Sequence, residues 1–315
     1  MTEAAAPPPS RARWRATLGA AFVTTLVRPA SWAFGLAGFL AGGGLVIVAW
    51  PILVLPTPTG LQNALGGPVS TLVFGGVSPT LALLFLAAFV VLVTAVVGGT
   101  WVGAWAERQG IAVTLEAAAD EGLAASTLPD DAPGPGGVAL VRLLSLLPVL
   151  VVLGYAWAPV YDAAYRQLIL PDELTTPLPI RVMRDVPELI AAVLITWLLS
   201  DAAAAVAVRR LLLERRGVLR AWALGWLDLV RRPGRVLGAA LAGLAVLVLL
   251  LGPSLLASSV GWSRVRDVVV DGRSPLATLM VVLTWVAMWL GGLVLAGVAA
   301  AFRSAAWTFE LTGRR

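Results

Sequence analysis

Six stretches of about 20 or more apolar residues dominate this chain, at about 31–55, 79–105, 138–160, 187–208, 236–257 and 275–302. A helix of that length crosses a hydrocarbon core of about 30 Å. None of the six carries more than one charge well inside it. Core helices of a soluble protein would keep a polar stripe, and these do not. Backbone groups in lipid must be satisfied within their own segment, so each stretch has to be helical. Composition agrees, with 59% hydrophobic and 13% charged residues and a mean hydropathy of +0.88. The expectation is an all-α, polytopic integral membrane protein of six transmembrane helices, paired as three helical hairpins, plus cytoplasmic amphipathic helices.

The connections complete one membrane domain. Residues 1–30 form a tail and amphipathic segment, 31–106 the first hairpin and 107–137 an acidic loop. Residues 138–208 form the second hairpin, 209–235 an Arg-rich amphipathic helix, 236–303 the third hairpin and 304–315 a tail. The first ten residues, with Pro7-Pro8-Pro9, read as a disordered tail. The first apolar run starts too late and runs too long for the core of a cleaved signal peptide, so it is expected to be a retained span.

Absent residues narrow the chemistry. The chain has no Cys, no His and no Lys, and its 23 basic residues are all Arg. That excludes thiolate chemistry, a Ser-His-Asp triad, a His-based zinc site and a Schiff-base or P-loop Lys. The side chains left for acid/base work are carboxylates, Tyr and Arg. No catalytic residue, cofactor or metal ligand is assigned, and the chain is read as a non-enzyme.

Arg distribution sets the orientation. Sixteen Arg fall on one side of the alternating spans and six on the other, with Arg142 just inside the third. By the positive-inside rule both termini are cytoplasmic, in a bacterial inner membrane. The pI of 10.8 does not point to nucleic acid, because the basic charge is juxtamembrane and one-sided.

The first and third hairpins begin alike, and the second member of every hairpin opens on Pro. Leu26-Val27-Arg28-Pro29 leads into Gly35 and Gly38, and Leu229-Val230-Arg231-Arg232-Pro233 leads into Gly238 and Gly243. Ser78-Pro79, Val186-Pro187 and Ser274-Pro275 open the second, fourth and sixth spans, where the missing N–H of Pro costs nothing. The repeat is parallel, with the first and third hairpins most alike. With these carriers, at 220–233 and 15–29, the chain resembles uncharacterised six-helix prokaryotic membrane proteins related to the glycerophosphodiester phosphodiesterase membrane domain. In those, an amphipathic helix ending in Arg-Arg-Pro precedes a span. The resemblance implies a fold and little about activity, and no phosphodiesterase domain accompanies it.

Asp201 is the one clear intramembrane charge, eight residues and about 12 Å from Arg209. A charge at that depth should face protein or water. Its expected partner is Arg142 on the neighbouring span, forming either a structural lock or an ion-coupling or substrate site. In the Arg-rich connection, net +6, helical spacing puts Val218, Leu219, Trp222, Trp226, Leu229 and Val230 on one arc. Arg220, Asp228, Arg231 and Arg232 fall opposite. Arg220, Trp222, Trp226, Arg231 and Arg232 are therefore candidate docking residues for anionic lipid headgroups or a cytoplasmic or membrane partner protein. The acidic connection, net −5, is a possible partner for the Arg-rich one. Gly38 and Gly42, and Gly99 and Gly103, form GxxxG pairs suited to close helix packing or to a homo-oligomer.

The uncharged segment 57–78 reads as an outer loop, with a re-entrant or interfacial segment as the other option. The spans offer only scattered Thr and Ser, which is poor lining for a hydrophilic pore. The functional expectation is a membrane component of a transport or export system for lipid-like or apolar cargo, energised by a partner because no nucleotide-binding motif is present. The other reading is a non-catalytic membrane scaffold or assembly factor.

Overall fold

The computed structural model of the chain describes residues 10–53, 55, 57–75, 79–120, 127–272 and 274–312. Among the described residues there is no strand, and six helical segments are long and apolar enough to cross a membrane. The protein is an all-α, multi-pass membrane protein. Residues 1–9, with the Pro-rich run, lie outside the described residues.

Twelve α-helices follow in order: α1 (Ser10–Val27), α2 (Ala30–Phe39), α3 (Leu45–Ala49), α4 (Pro58–Gly75), α5 (Pro79–Asp120), α6 (Pro135–Ser145), α7 (Leu147–Ile169), α8 (Leu178–Asp185), α9 (Pro187–Leu213), α10 (Val218–Arg231), α11 (Pro233–Val270) and α12 (Pro275–Thr312). Half of them open on Pro, whose fixed φ and missing N–H suit the first helical position.

The first span is not one helix. A π-helical stretch, Leu40–Gly44, separates α2 from α3, and a 3₁₀ turn, Trp50–Ile52, follows. Gly42 sits at φ −81° and ψ 15°, and Gly43 at φ 98°, inside what the apolar run alone presents as a continuous helix. Only Gly takes that left-handed φ at little cost, so the run of Gly42, Gly43 and Gly44 is where the chain breaks.

Other helices run longer than hydropathy implies. α5 continues unbroken for 42 residues to Asp120, and so absorbs the first part of the acidic connection. α12 continues for 38 residues to Thr312. The stretch expected to be a C-terminal tail is therefore core: Ala305, Ala306, Trp307, Thr308 and Phe309 are buried. No Pro interrupts either continuation, and both extensions carry strong helix formers. The uncharged segment after the first span is the helix α4 rather than an irregular loop.

The chain forms two compact units. One contains residues 1–52, 100–144 and 201–315. Its centre is α12, which packs along α11, α2 and α1. Ala21 of α1, Ala118 of α5 and Phe302, Ala305, Ala306 and Phe309 of α12 share one core cluster. A second cluster joins Ile111 and Leu115 of α5, Val138 and Val141 of α6 and Ala207, Val208, Leu211 and Leu212 of α9. The Arg-Pro turns do comparable work at both sites. Ser31 Oγ donates to the Arg28 carbonyl at 2.7 Å and Trp32 Nε1 to the Thr25 carbonyl at 2.7 Å. At the other turn, the Arg232 N–H donates to the Asp228 carbonyl at 2.9 Å before α11 begins.

The other unit contains residues 53–99 and 145–200. Its core is Ala163 of α7 with Val182 and Val186 around α8. Buried Arg181 donates to the Gln167 side-chain oxygen, and Gln167 Nε2 donates to Asp172 at 2.8 Å and Asp185 at 2.9 Å. Glu173 instead accepts from Thr176 and Thr175, whose hydroxyls hold its carboxyl below the usual carboxylate range. Asp172 and Glu173 thus turn to different partners and form no acid/base pair.

Candidate functional site

Glu107, Arg108, Arg209, Arg210 and Arg303 all lie in the C-terminal thirds of α5, α9 and α12, just past their apolar stretches. Three alternate spans therefore deliver charge to the same end of the first unit, and α6 adds Arg142 from its C-terminal turn.

The result is a five-membered ionic network. Arg142 grips Glu107 with two parallel bonds, Nε to Oε2 at 2.9 Å and Nη2 to Oε1 at 2.7 Å. Its third nitrogen, Nη1, donates to Asp201 Oδ1 at 2.9 Å. Arg303 Nη2 donates to the other Asp201 oxygen. Arg209 Nη1 reaches Glu107 Oε1 at 3.2 Å and the Ala205 carbonyl at 3.0 Å. Arg209 Nη2 donates to the Ser304 carbonyl at 2.9 Å and hydroxyl at 3.2 Å. Arg suits this role, because its planar fork serves several acceptors at once and stays charged when desolvated.

The sequence pairs Asp201 with Arg142, and the structure brings those two together. It adds Glu107, Arg209 and Arg303, which hydropathy alone assigns to connections or span ends. The signal that could have found them is helix continuation: no Pro follows the apolar stretch within α5, α9 or α12, so each helix runs on through these residues. Burial grades the network. Arg209 is 2% exposed, whereas the Arg142 and Arg303 side chains are 28% and 29% exposed. Arg209 is the floor, and Arg142 and Arg303 form the mouth.

The docking candidates sit on α10, whose surface divides into three. Ala221, Gly225, Asp228 and Leu229 are buried. A Cβ on Gly225 would collide with the Ala203 carbonyl, so glycine lets α10 lie directly on α9. Asp228 does not sit on a solvated polar face with the arginines. It is buried and accepts from Arg210 Nη2 at 2.6 Å, because the helix turns its small-residue stripe, not its Trp arc, fully onto the protein. Trp222 and Trp226 are half-buried, with ring N–H groups that find no acceptor among the described residues. Next to them, Leu219 is 69% and Val230 is 76% exposed. Arg220, Arg231 and Arg232 are exposed beside this arc.

Of the acidic connection, Asp131 meets Arg215 at 2.8 Å, and Asp120 pairs with Arg28. Among the described residues, the acidic and Arg-rich connections therefore meet through the exposed Asp131–Arg215 pair as well as the largely buried Glu107–Arg209 pair and the apolar cluster around Ile111, Leu115, Leu211 and Leu212.

A second feature surrounds the broken span. One-turn α3 cannot satisfy its own carbonyls. Trp289 Nε1 of α12 donates to the Val48 carbonyl at 2.9 Å. A cavity of about the size of one water lies beside it, lined by Val48, Ser254, Ser258, Trp289 and Gly292 among others. Trp285 donates to the Ser258 carbonyl at 3.1 Å and stacks on Trp289, with ring centroids 6.4 Å apart. Several span hydroxyls bond their own helices, Thr284 to Met280 at 2.8 Å, Thr278 to Ser274 at 3.3 Å and Ser254 to Leu250 at 3.2 Å, whereas the buried hydroxyls of Ser200 and of cavity-lining Ser258 find no partner among the described residues.

Among the described residues, no group of three or more Asp or Glu is arranged to hold a metal ion. Comparison with protein-family models, with curated proteins and with solved structures finds no match.

Proposed function

We propose that this multi-pass protein is the membrane component of a transport or export system for lipid-like or apolar cargo. The observation that carries this reading is the broken first span. Irregular backbone at membrane depth is tolerated where protein or a cavity covers it, and discontinuous spans accompany substrate sites in transporters. Here the break at Gly42 and Gly43 is followed by the one-turn helix α3, whose Val48 lines a cavity with Ser254 and Ser258 of α11 and Trp289 of α12. Thr284, Thr278 and Ser254 spend their hydroxyls on their own helix carbonyls, which thins the polar lining available to a hydrated solute and favours apolar cargo. The chain supplies no nucleotide-binding motif, so active movement would need a partner in the inner membrane or cytoplasm.

The test is transbilayer movement of a fluorescent phospholipid in proteoliposomes, with the chain alone and with co-purified partners. Wild type is expected to speed lipid exchange. Gly43→Ala, which forces a left-handed φ on an L-residue, is expected to slow it. No acceleration by folded wild-type protein in either preparation would overturn the reading. A scaffold role is favoured instead by the exposed Leu219 and Val230 arc, and it predicts loss of partners on Trp222→Ala or Trp226→Ala without any change in lipid movement.

A further inference from the structure

The charge network is not balanced. Arg142, Arg209 and Arg303 face only Glu107 and Asp201, a surplus of one positive charge. Desolvated charge is costly unless it is paired. The surplus is also local. Glu107 is committed to Arg142 and Arg209, and Asp201 is shared between Arg142 and Arg303. Arg303 spends Nη2 on Asp201, and its Nε and Nη1 have no acceptor among the described residues. Its stem is held in place, since a Cβ on Gly243 would lie 2.6 Å from Arg303 Cγ. The unspent donors are thus on a positioned side chain that is still partly open.

We infer that the Arg303–Arg142 mouth binds the phosphate group of a monoanionic phosphodiester or of inorganic phosphate, supplying the negative charge that the network lacks. Arg303 offers two free nitrogens to phosphate oxygens, and Arg142, whose nitrogens are already engaged, adds positive charge beside it. The site goes beyond the transport reading, because occupancy does not depend on cargo moving.

The experiment is native mass spectrometry of the full chain from micelles. The probes are phosphatidylglycerol, phosphatidylcholine and inorganic phosphate. Phosphatidylglycerol is expected to be retained over zwitterionic phosphatidylcholine. Arg303→Gln should weaken it about tenfold, and Asp201→Asn, which removes a competing carboxylate, should strengthen it about tenfold. A purely structural role would move both variants in the same direction. Arg303→Lys, which keeps the charge, should retain part of the binding and covers the case where Arg303→Gln does not fold. Displacement of the lipid by inorganic phosphate identifies a soluble phosphate as the occupant, and resistance to displacement identifies the lipid. Equal retention of both lipids, or indifference to Arg303 and Asp201, overturns the proposal.

Discussion

Gly35 and Gly297 bring the backbones of α2 and α12 into direct contact: a Cβ on Gly35 would lie 2.5 Å from the Gly297 carbonyl oxygen, and one on Gly297 2.7 Å from that of Trp32. The atoms opposing each new methyl are backbone, so neither side can yield by changing a rotamer. Gly35→Ala and Gly297→Ala should each cost about 1–3 kcal/mol through overpacking. Gly38→Ala, half of a GxxxG pair, meets nothing closer than 3.9 Å and should be neutral or slightly stabilising. Unfolding titrations in mixed micelles would separate them, and equal costs at Gly35 and Gly38 would sink the argument.

Burial, not the number of ion pairs, decides what each pair contributes. Glu107 accepts three N–H bonds from Arg142 and Arg209 inside the protein. Glu107→Gln leaves Arg209 buried without a carboxylate and should destabilise by about 3–5 kcal/mol. The Arg215–Asp131 pair has both side chains more than half exposed. Asp131→Asn should change stability by no more than about 1 kcal/mol, and that small effect should vanish in high salt. A large cost for Asp131→Asn that persists in high salt would contradict this division.

A Cys-free chain makes the seating of α10 directly measurable. Ala221 is fully buried on the face that meets α9. Ala221→Cys should resist a maleimide in the parent and react once Gly225→Val is added, because the larger side chain has no room against Ala203. Reaction in the parent at the same rate would mean that α10 does not rest on α9.

The spans and their Pro starts were legible because lipid leaves the backbone one option and Pro one favourable place in it. The pairing of Asp201 with Arg142 was legible from depth arithmetic alone. Glu107, Arg209 and Arg303 were not, because hydropathy marks where a span stops being apolar, while the helix continues as long as nothing breaks it. The break at Gly42 and Gly43 was hidden in the opposite way, since a run of small apolar residues reads equally well as helix or as hinge. Asp228 was misplaced because helical periodicity divides polar from apolar residues but does not say which arc meets protein. The burial of Ala221 and Gly225 decides that, and they were silent in a pattern built on Trp and Leu.

Orientation rests on sixteen Arg against six, and it determines which leaflet the Arg142–Arg303 mouth addresses. Glu107, Arg209 and Arg303 come at the C-terminal ends of their spans, so the mouth lies at the same end of the first unit as α10. Arg216→Cys, at a half-buried position just before α10, and Val270→Cys, exposed at the far end of α11, meet no competing native thiol. With a membrane-impermeant maleimide on intact cells, Val270→Cys should label and Arg216→Cys should label only after the membrane is opened. The reverse pattern would turn the mouth toward the outer leaflet. It would also argue against docking of α10 on anionic headgroups of a cytoplasmic leaflet, an attraction that would be worth roughly 1 kcal/mol per nearby Arg.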